Sequence, residues 1–279
     1  MSNLSYYIWL ALFGVGIFSY TVYKKKQFTD LFLFFLAASV FSWIGEYFVL
    51  YLFDAYIYKP SVFTDPFAES TLGHLITNTF FWGSTAVLVG AFSLRYHWFF
   101  LISAVYMSFD ILFIKVGAYE HHWWRTNMTG ITVIIFLIII KKWFLKLKEH
   151  RYEFLRNITL LLVAFFFIAI DTYILLLLGK QHYRVDWYEN MYRDSTVFSF
   201  LYHAGIALVF IFFVCILKKW YWKISPILFF LLSDSLLLNM KILIFQDGWS
   251  FFYLTLTRIL ALAIFVLLEK NTLKQEFQN

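Results

Sequence analysis

The chain alternates long runs of apolar residues with short polar segments. Each of nine runs is long enough to cross a bilayer as a helix, which needs about 20 mostly apolar residues. The pattern therefore predicts an all-α fold, a polytopic transmembrane helical bundle with about nine spans. Because the spans contain almost no internal proline, we expect unbroken helices. The predicted spans lie near residues 6–23, 30–52, 71–94, 98–118, 127–145, 157–179, 196–217, 224–245 and 250–268.

The composition excludes a water-soluble globular protein. Of the 279 residues, 62% are hydrophobic and only 14% are charged. Soluble domains average about 45–50% apolar and about 25% charged residues. The single cysteine, Cys215, also excludes an internal disulfide and a metal site built from cysteines.

The polar connections fall into two sets of opposite charge. The first set carries 15 Lys and Arg against five Asp and Glu, and the second carries five against eight. Basic residues collect in cytoplasmic loops, so we expect a protein of the cell membrane with its N-terminus outside and its C-terminus in the cytoplasm. The net charge of +6 is then explained by the orientation of the protein in the membrane, and no nucleic-acid partner is needed to account for it. The expected partners are membrane lipids and a small solute, ion or lipid ligand.

Four spans that run outward each carry an acidic residue. Glu46 and Asp171 lie 125 residues apart, and Asp110 and Asp234 lie 124 apart. This spacing predicts an internal duplication with two parallel four-helix repeats. The alternative is that outward helices look alike simply because all of them are apolar. The predicted parts are an extra helix at 1–27, repeats at 28–150 and 151–270, and a cytoplasmic tail at 271–279.

Three short motifs resemble a family of small uncharacterised bacterial multi-pass membrane proteins. They are Ile44-Gly45-Glu46-Tyr47, Leu72-Gly73-His74-Leu75-Ile76-Thr77-Asn78-Thr79 and Tyr119-Glu120-His121-His122-Trp123-Trp124. The resemblance covers mainly residues 1–145, with a weaker echo after 157. It implies a unit with one acid in an early helix, a second in a later helix and an aromatic turn. It implies a topology and no activity.

Ionisable residues inside the spans are the strongest chemical signal. Each costs about 2.5–3.5 kcal/mol at the centre of a membrane helix, so we expect pairing or hydration in a cavity. We predict a polar, outward-facing pocket between the halves. The alternative is a structural network that fixes helix packing. The candidate binding residues are Glu46, His74, Asn78, Asp110, Asp171, His203, Asp234 and Lys241.

Three functions remain open at this point. The first is a transporter-like or small-ligand-binding protein with its site between the repeats. The second is a membrane-embedded enzyme that acts on a lipid or isoprenoid, with paired acids as general acid and base. The third is a sensor or assembly partner without small-molecule chemistry. A lateral opening toward lipid would favour the enzyme, and a closed polar shaft would favour transport.

No catalytic motif, cofactor or metal site is assigned. The chain contains no H-E-x-x-H pattern. The run from Glu120 to Arg125 holds adjacent histidines, whose side chains usually point apart, so an interfacial belt explains it better than a metal site.

Overall fold

Nine helices are long and apolar enough to cross a membrane in the described part of the chain. The computed structural model describes residues 3–149, 153–217, 219–246 and 248–272. These helices fit a multi-pass membrane protein, as the hydropathy pattern predicts. They are α1 (Asn3–Lys25), α2 (Phe28–Leu52), α3 (Pro66–Phe92), α4 (His97–Lys115), α5 (Thr126–Lys148), α6 (Glu153–Leu177), α7 (Met191–Ile216), α8 (Trp220–Asn239) and α9 (Phe251–Asn271).

Two short antiparallel strand pairs join the loops, and the sequence analysis predicted neither of them. Strand β1 (Tyr56–Tyr58) pairs with β2 (Tyr119–His121), with Tyr56 opposite His121. Strand β3 (Gln181–Tyr183) pairs with β4 (Leu243–Phe245). In each unit, we call the end of the helices that carries the strands the strand end, and the opposite end the basic end.

The second strand pair corrects one predicted span. The eighth span was predicted to continue to residue 245, but α8 ends at Asn239. Lys241 then adopts a left-handed backbone with φ 59°, and the chain continues as β4. The prediction failed because a three-residue apolar strand has the same hydropathy as the end of a helix.

The chain divides into two compact units, Met1–Leu155 (unit 1) and Arg156–Asn279 (unit 2). Helix α1 packs within unit 1, where the Tyr7 hydroxyl donates to the carbonyl of Ala118 at 2.5 Å. A Cβ at Gly14 would lie 2.3 Å from the carbonyl oxygen of Phe80, so glycine allows α1 to cross α3 closely. Of the tail predicted at 271–279, all beyond residue 272 lies outside the described residues.

A buried acid in the first turn of α7 holds the preceding loop. The Asp194 carboxylate accepts hydrogen bonds from the backbone N–H groups of residues 185 to 188, at 2.8–3.2 Å. In unit 1 the Glu69 carboxylate accepts in the same way from residues 61 to 63. Helix α3 begins at Pro66 and α7 at Met191, whereas the predicted spans began at 71 and 196. Each helix therefore starts five residues early, because its first turn is polar and is not recognised by hydropathy.

Other details recur at the same spacing of 125 residues. The hydroxyl of Ser70 accepts from the backbone N–H of Tyr58 at 3.3 Å, and Ser195 accepts from Tyr183 at 3.0 Å. The loops after these tyrosines both contain a non-glycine residue with a left-handed backbone, Ser61 in one and Asp186 in the other. The two units thus share local geometry at positions 125 residues apart.

Three of the described spans contain a π-helical turn, and each continues through it as one helix, as expected. The turns lie at Tyr47–Leu52 in α2, Thr77–Trp82 in α3 and Ile211–Ile216 in α7. Such turns need no proline and occur frequently at functional sites. The first follows Glu46 directly, and the second contains Asn78.

Asp194→Asn tests whether the buried acid holds the loop of unit 2. We expect the free energy of unfolding to fall by about 1–3 kcal/mol, because an amide N–H₂ group would face backbone N–H donors that lose their acceptor. Thermal unfolding of the purified protein measures this change. The control is Asp186→Asn, an exposed residue paired with the exposed Arg184, which we expect to change little. Equal unfolding temperatures for the parent and Asp194→Asn would contradict the assignment.

Candidate functional site

Unit 1 contains a cavity of about 380 Å³ lined by residues of α1, α2, α3, α4, α5 and the first strand pair. This is within the usual range for small-molecule sites, about 300–1,000 Å³. No lysine or arginine is among its lining residues in the described part of unit 1. Its wall is largely aromatic and includes Phe41, Tyr56, Tyr58, Phe81, Trp82, Tyr106, Phe109, Phe113, Tyr119, Trp124 and Phe136.

Glu46 presents a buried carboxyl group to this cavity. The hydroxyl of Tyr56 donates to Oε2 at 2.8 Å, and the hydroxyl of Tyr58 donates to Oε1 at 2.9 Å. The amide nitrogen of Asn78 donates to Oε1 at 2.9 Å. An ionised carboxylate only accepts hydrogen bonds and has sites for several donors, so these three groups suit it.

The two tyrosines reach Glu46 because they alternate along β1. Side chains two residues apart on a strand point to the same face. Burial raises the pKa of Tyr56 and Tyr58 well above the usual value of a phenol, and the charge of Glu46 raises it further. Both hydroxyls therefore stay protonated as donors. A Cβ at Gly73 would lie 2.4 Å from that of Tyr58, so glycine lets α3 pack directly against β1.

Asp110 supplies the second carboxyl group of the cavity. It is buried in α4, near the strand end of that helix. Oδ1 lies 3.2 Å from Nε2 of His121 in β2, and Oδ2 accepts from the hydroxyl of Thr126 at 2.5 Å. Both partners come from the segment that leads from β2 into α5, so this segment closes the cavity beside Asp110.

His74 supports the site from behind and does not line the cavity. Its ring is buried between Trp43 and Tyr51, with ring centroids 5.7 and 6.0 Å away. Nδ1 lies 3.2 Å from the amide nitrogen of Asn78. The histidine therefore orients the amide that donates to Glu46.

Unit 2 holds its acids in a different way, around one buried guanidinium. Arg258 of α9 is 1% exposed, and its Nη1 lies 3.4 Å from Oδ1 of Asp171. Its Nε lies 3.7 Å from Oδ2 of Asp234, and Nη2 lies 3.4 Å from Nε2 of His203. Nη1 also donates to the carbonyl of Ile168 at 2.8 Å. The arginine thus supplies a positive charge to both acids of this unit.

Little empty space remains around this ion cluster. A cavity beside Asp234 and Arg258 measures about 10 Å³, which is close to the room needed for one water molecule. The hydroxyl of Tyr202 donates to Oδ1 of Asp234 at 2.6 Å, so Asp234 has a neutral donor as well as a cation.

The structure places the sequence-predicted residues in three ways. Glu46, His74, Asn78 and Asp110 form or support the cavity of unit 1. Asp171, His203 and Asp234 surround Arg258 in unit 2. Lys241 is exposed in the turn between α8 and β4 and belongs to neither cluster.

Sequence reasoning missed two of the three hydrogen-bond donors to Glu46. Tyr56 and Tyr58 were assigned to an outer loop, although their period-2 spacing is typical of a strand. Arg258 lies within the ninth predicted span, and it forms ion pairs with two acids of its unit. Its central position in the cluster had no sequence signal.

No protein-family model matches the chain, and neither curated proteins nor solved structures give a significant match. The family resemblance therefore stays a prediction. Among the described residues, no group of three or more His, Cys, Asp or Glu is arranged to hold a metal ion. The chemistry of the site must be argued from its own residues.

Arg258→Met tests whether the guanidinium stabilises unit 2. The variant leaves two acids buried without their cation, and removing one partner of a buried ion pair costs about 3–5 kcal/mol. We expect a large fall in the unfolding temperature in detergent. Adding Asp171→Asn and Asp234→Asn should recover much of it. Arg184→Met removes an exposed ion pair and serves as the control. An Arg258→Met variant as stable as the parent would overturn this role.

Proposed function

We propose that unit 1 binds a lipophilic cation, a molecule that joins a positive charge to an apolar body. The observation that carries the proposal is an aromatic cavity with two carboxyl groups and no basic residue in its wall. Buried carboxylates favour a counter-charge, and aromatic faces attract cations. A ligand with both features satisfies the acids and the apolar wall together.

The ion cluster of unit 2 supports this choice of ligand. Asp171 and Asp234 lie 125 and 124 residues after Glu46 and Asp110, and their counter-charge is Arg258. The corresponding acids of unit 1 face a cavity of about 380 Å³ instead. A pair of acids in this setting thus takes a cation when the chain supplies one.

We also propose that the two units arose by duplication, with α1 as the extra helix. The matching acids, the paired strands and the loops held by Glu69 and Asp194 support it. On this view the cation of unit 2 is a side chain of the protein itself, Arg258, and the cation of unit 1 is a bound ligand. Binding is the step that a transporter and a lipid enzyme share, so the proposal is stated as binding.

Two probes of the same shape test the sign of the charge. Tetraphenylphosphonium and tetraphenylborate have similar size and apolar surface but opposite charge. We expect purified protein in lipid nanodiscs to bind the phosphonium saturably and the borate at least about tenfold more weakly, a difference of about 1.4 kcal/mol. Equilibrium dialysis measures both. Equal binding of the two ions would overturn the proposal.

Variants then assign the binding to the cavity. Glu46→Gln and Asp110→Asn each remove a carboxylate at nearly constant size, so we expect each to weaken phosphonium binding by about tenfold or more. Glu120→Gln is the matched control, because this acid is exposed and pairs with Lys59 outside the cavity. Full affinity in a Glu46→Gln/Asp110→Asn double variant would place the binding elsewhere.

We propose that the strand end of unit 1 faces the outside of the cell and the basic end faces the cytoplasm. The excess of basic residues at the basic end supports this orientation. The chain has one cysteine, the buried Cys215, so a Cys215→Ser background allows single-cysteine labelling. On intact cells, an impermeant maleimide should label Val62→Cys at once and Lys148→Cys only after permeabilisation. The reverse result would invert the orientation.

A further inference from the structure

The cavity of unit 1 reaches the surface through one side of the bundle. Four of its lining residues are themselves exposed: Gly45 on α2, and Thr132, Ile135 and Ile139 on α5. Ile135 is 52% exposed and Ile139 40%. Because the cavity is open to the surface and these four residues are the exposed part of its lining, we place the opening beside them. We call these four residues the side opening.

Packed side chains lie at both ends of the cavity along the helix axes. Toward the basic end, the ring of Phe41 stacks on Phe136, with centroids 5.9 Å apart, and meets Trp143 edge-on at the same distance. Toward the strand end, the strand pair places the buried Tyr56 and Tyr119 across the cavity. Both routes that lead along the helices are therefore obstructed by aromatic rings.

In a bilayer that α5 spans from its first residue onward, the side opening lies at the depth of the lipid acyl chains. Thr132 and Ile139 follow Thr126, the first residue of α5, by six and 13 positions. At about 1.5 Å per residue they lie about 9 and 20 Å along the helix. The hydrocarbon core of a bilayer is about 30 Å thick, so both positions fall within it.

We infer that the cation enters unit 1 from the lipid phase, through the side opening between α2 and α5. This inference rests on the proposed function and adds the source and route of the ligand. The class of ligand is then an amphipathic amine or onium ion that partitions into bilayers. Gly45 and Glu46 both line the cavity, so the opening and the carboxyl group border the same space.

A Cβ at Gly45 would meet no atom within 4 Å, so there is room for a larger side chain at this edge of the opening. Gly45→Leu should therefore fold normally and obstruct the opening. Gly205 is a matched control: it is also an exposed helical glycine, in α7, where a Cβ would meet no atom within 4 Å. Gly205→Leu makes the same change without altering the opening.

Stopped-flow tryptophan fluorescence with tetraphenylphosphonium in nanodiscs tests the route, since Trp82 and Trp124 line the cavity. We expect Gly45→Leu to slow association and dissociation by at least about fivefold each and to leave Kd within about twofold. Gly205→Leu should match the parent. An association rate for Gly45→Leu equal to that of the parent would overturn the route.

The outcomes separate the two proposals. A parent protein that binds no phosphonium refutes the cation-binding function itself. A parent that binds, together with a Gly45→Leu variant that binds at the same rate, refutes only the route. If Gly45→Leu fails to fold, Thr132→Leu, which substitutes an exposed residue on the α5 side of the opening, provides the same comparison.

Discussion

A carboxyl group within the hydrocarbon of a bilayer must be given hydrogen-bond donors or a positive charge, and this constraint organises both units. Unit 1 surrounds Glu46 with three neutral donors and leaves open space beside it. Unit 2 places one arginine between Asp171 and Asp234 and closes the space. Neutral hydrogen-bond donors thus stabilise the acid in unit 1, and a cation stabilises the acids in unit 2. Of these two described sites, the one in unit 1 has space for a ligand beside it.

The neutral solution depends on order in the loops. Two of the three donors to Glu46 stand on a three-residue strand, which alone is too short to be stable. The strand keeps its place because β2 pairs with it, α3 packs against it at Gly73, and Glu69 binds the backbone of the loop that follows. The polar chemistry inside unit 1 is therefore maintained by hydrogen bonds formed at its strand end.

Hydropathy predicted the spans because runs of apolar residues mark the segments that cross a membrane. It does not indicate whether a residue within a span faces the protein interior or the surroundings. Arg258 and Lys241 were both predicted to lie within spans, yet one is buried in an ion cluster and the other is exposed in a turn. The spacing of the acids pointed to matched positions in the two units. The strand pairs could not be predicted from the sequence. Each strand has only three residues, and paired residues such as Tyr56 and His121 are far apart in the chain.

The first strand pair also links the two acids of the cavity to one another. Its β1 strand provides Tyr56 and Tyr58 to Glu46, and its β2 strand provides His121 to Asp110. The backbone hydrogen bonds between the strands connect these partners to one another. Both carboxyl groups therefore depend on the same strand pair, so a change in its register would disturb the hydrogen bonds of Glu46 and Asp110 together.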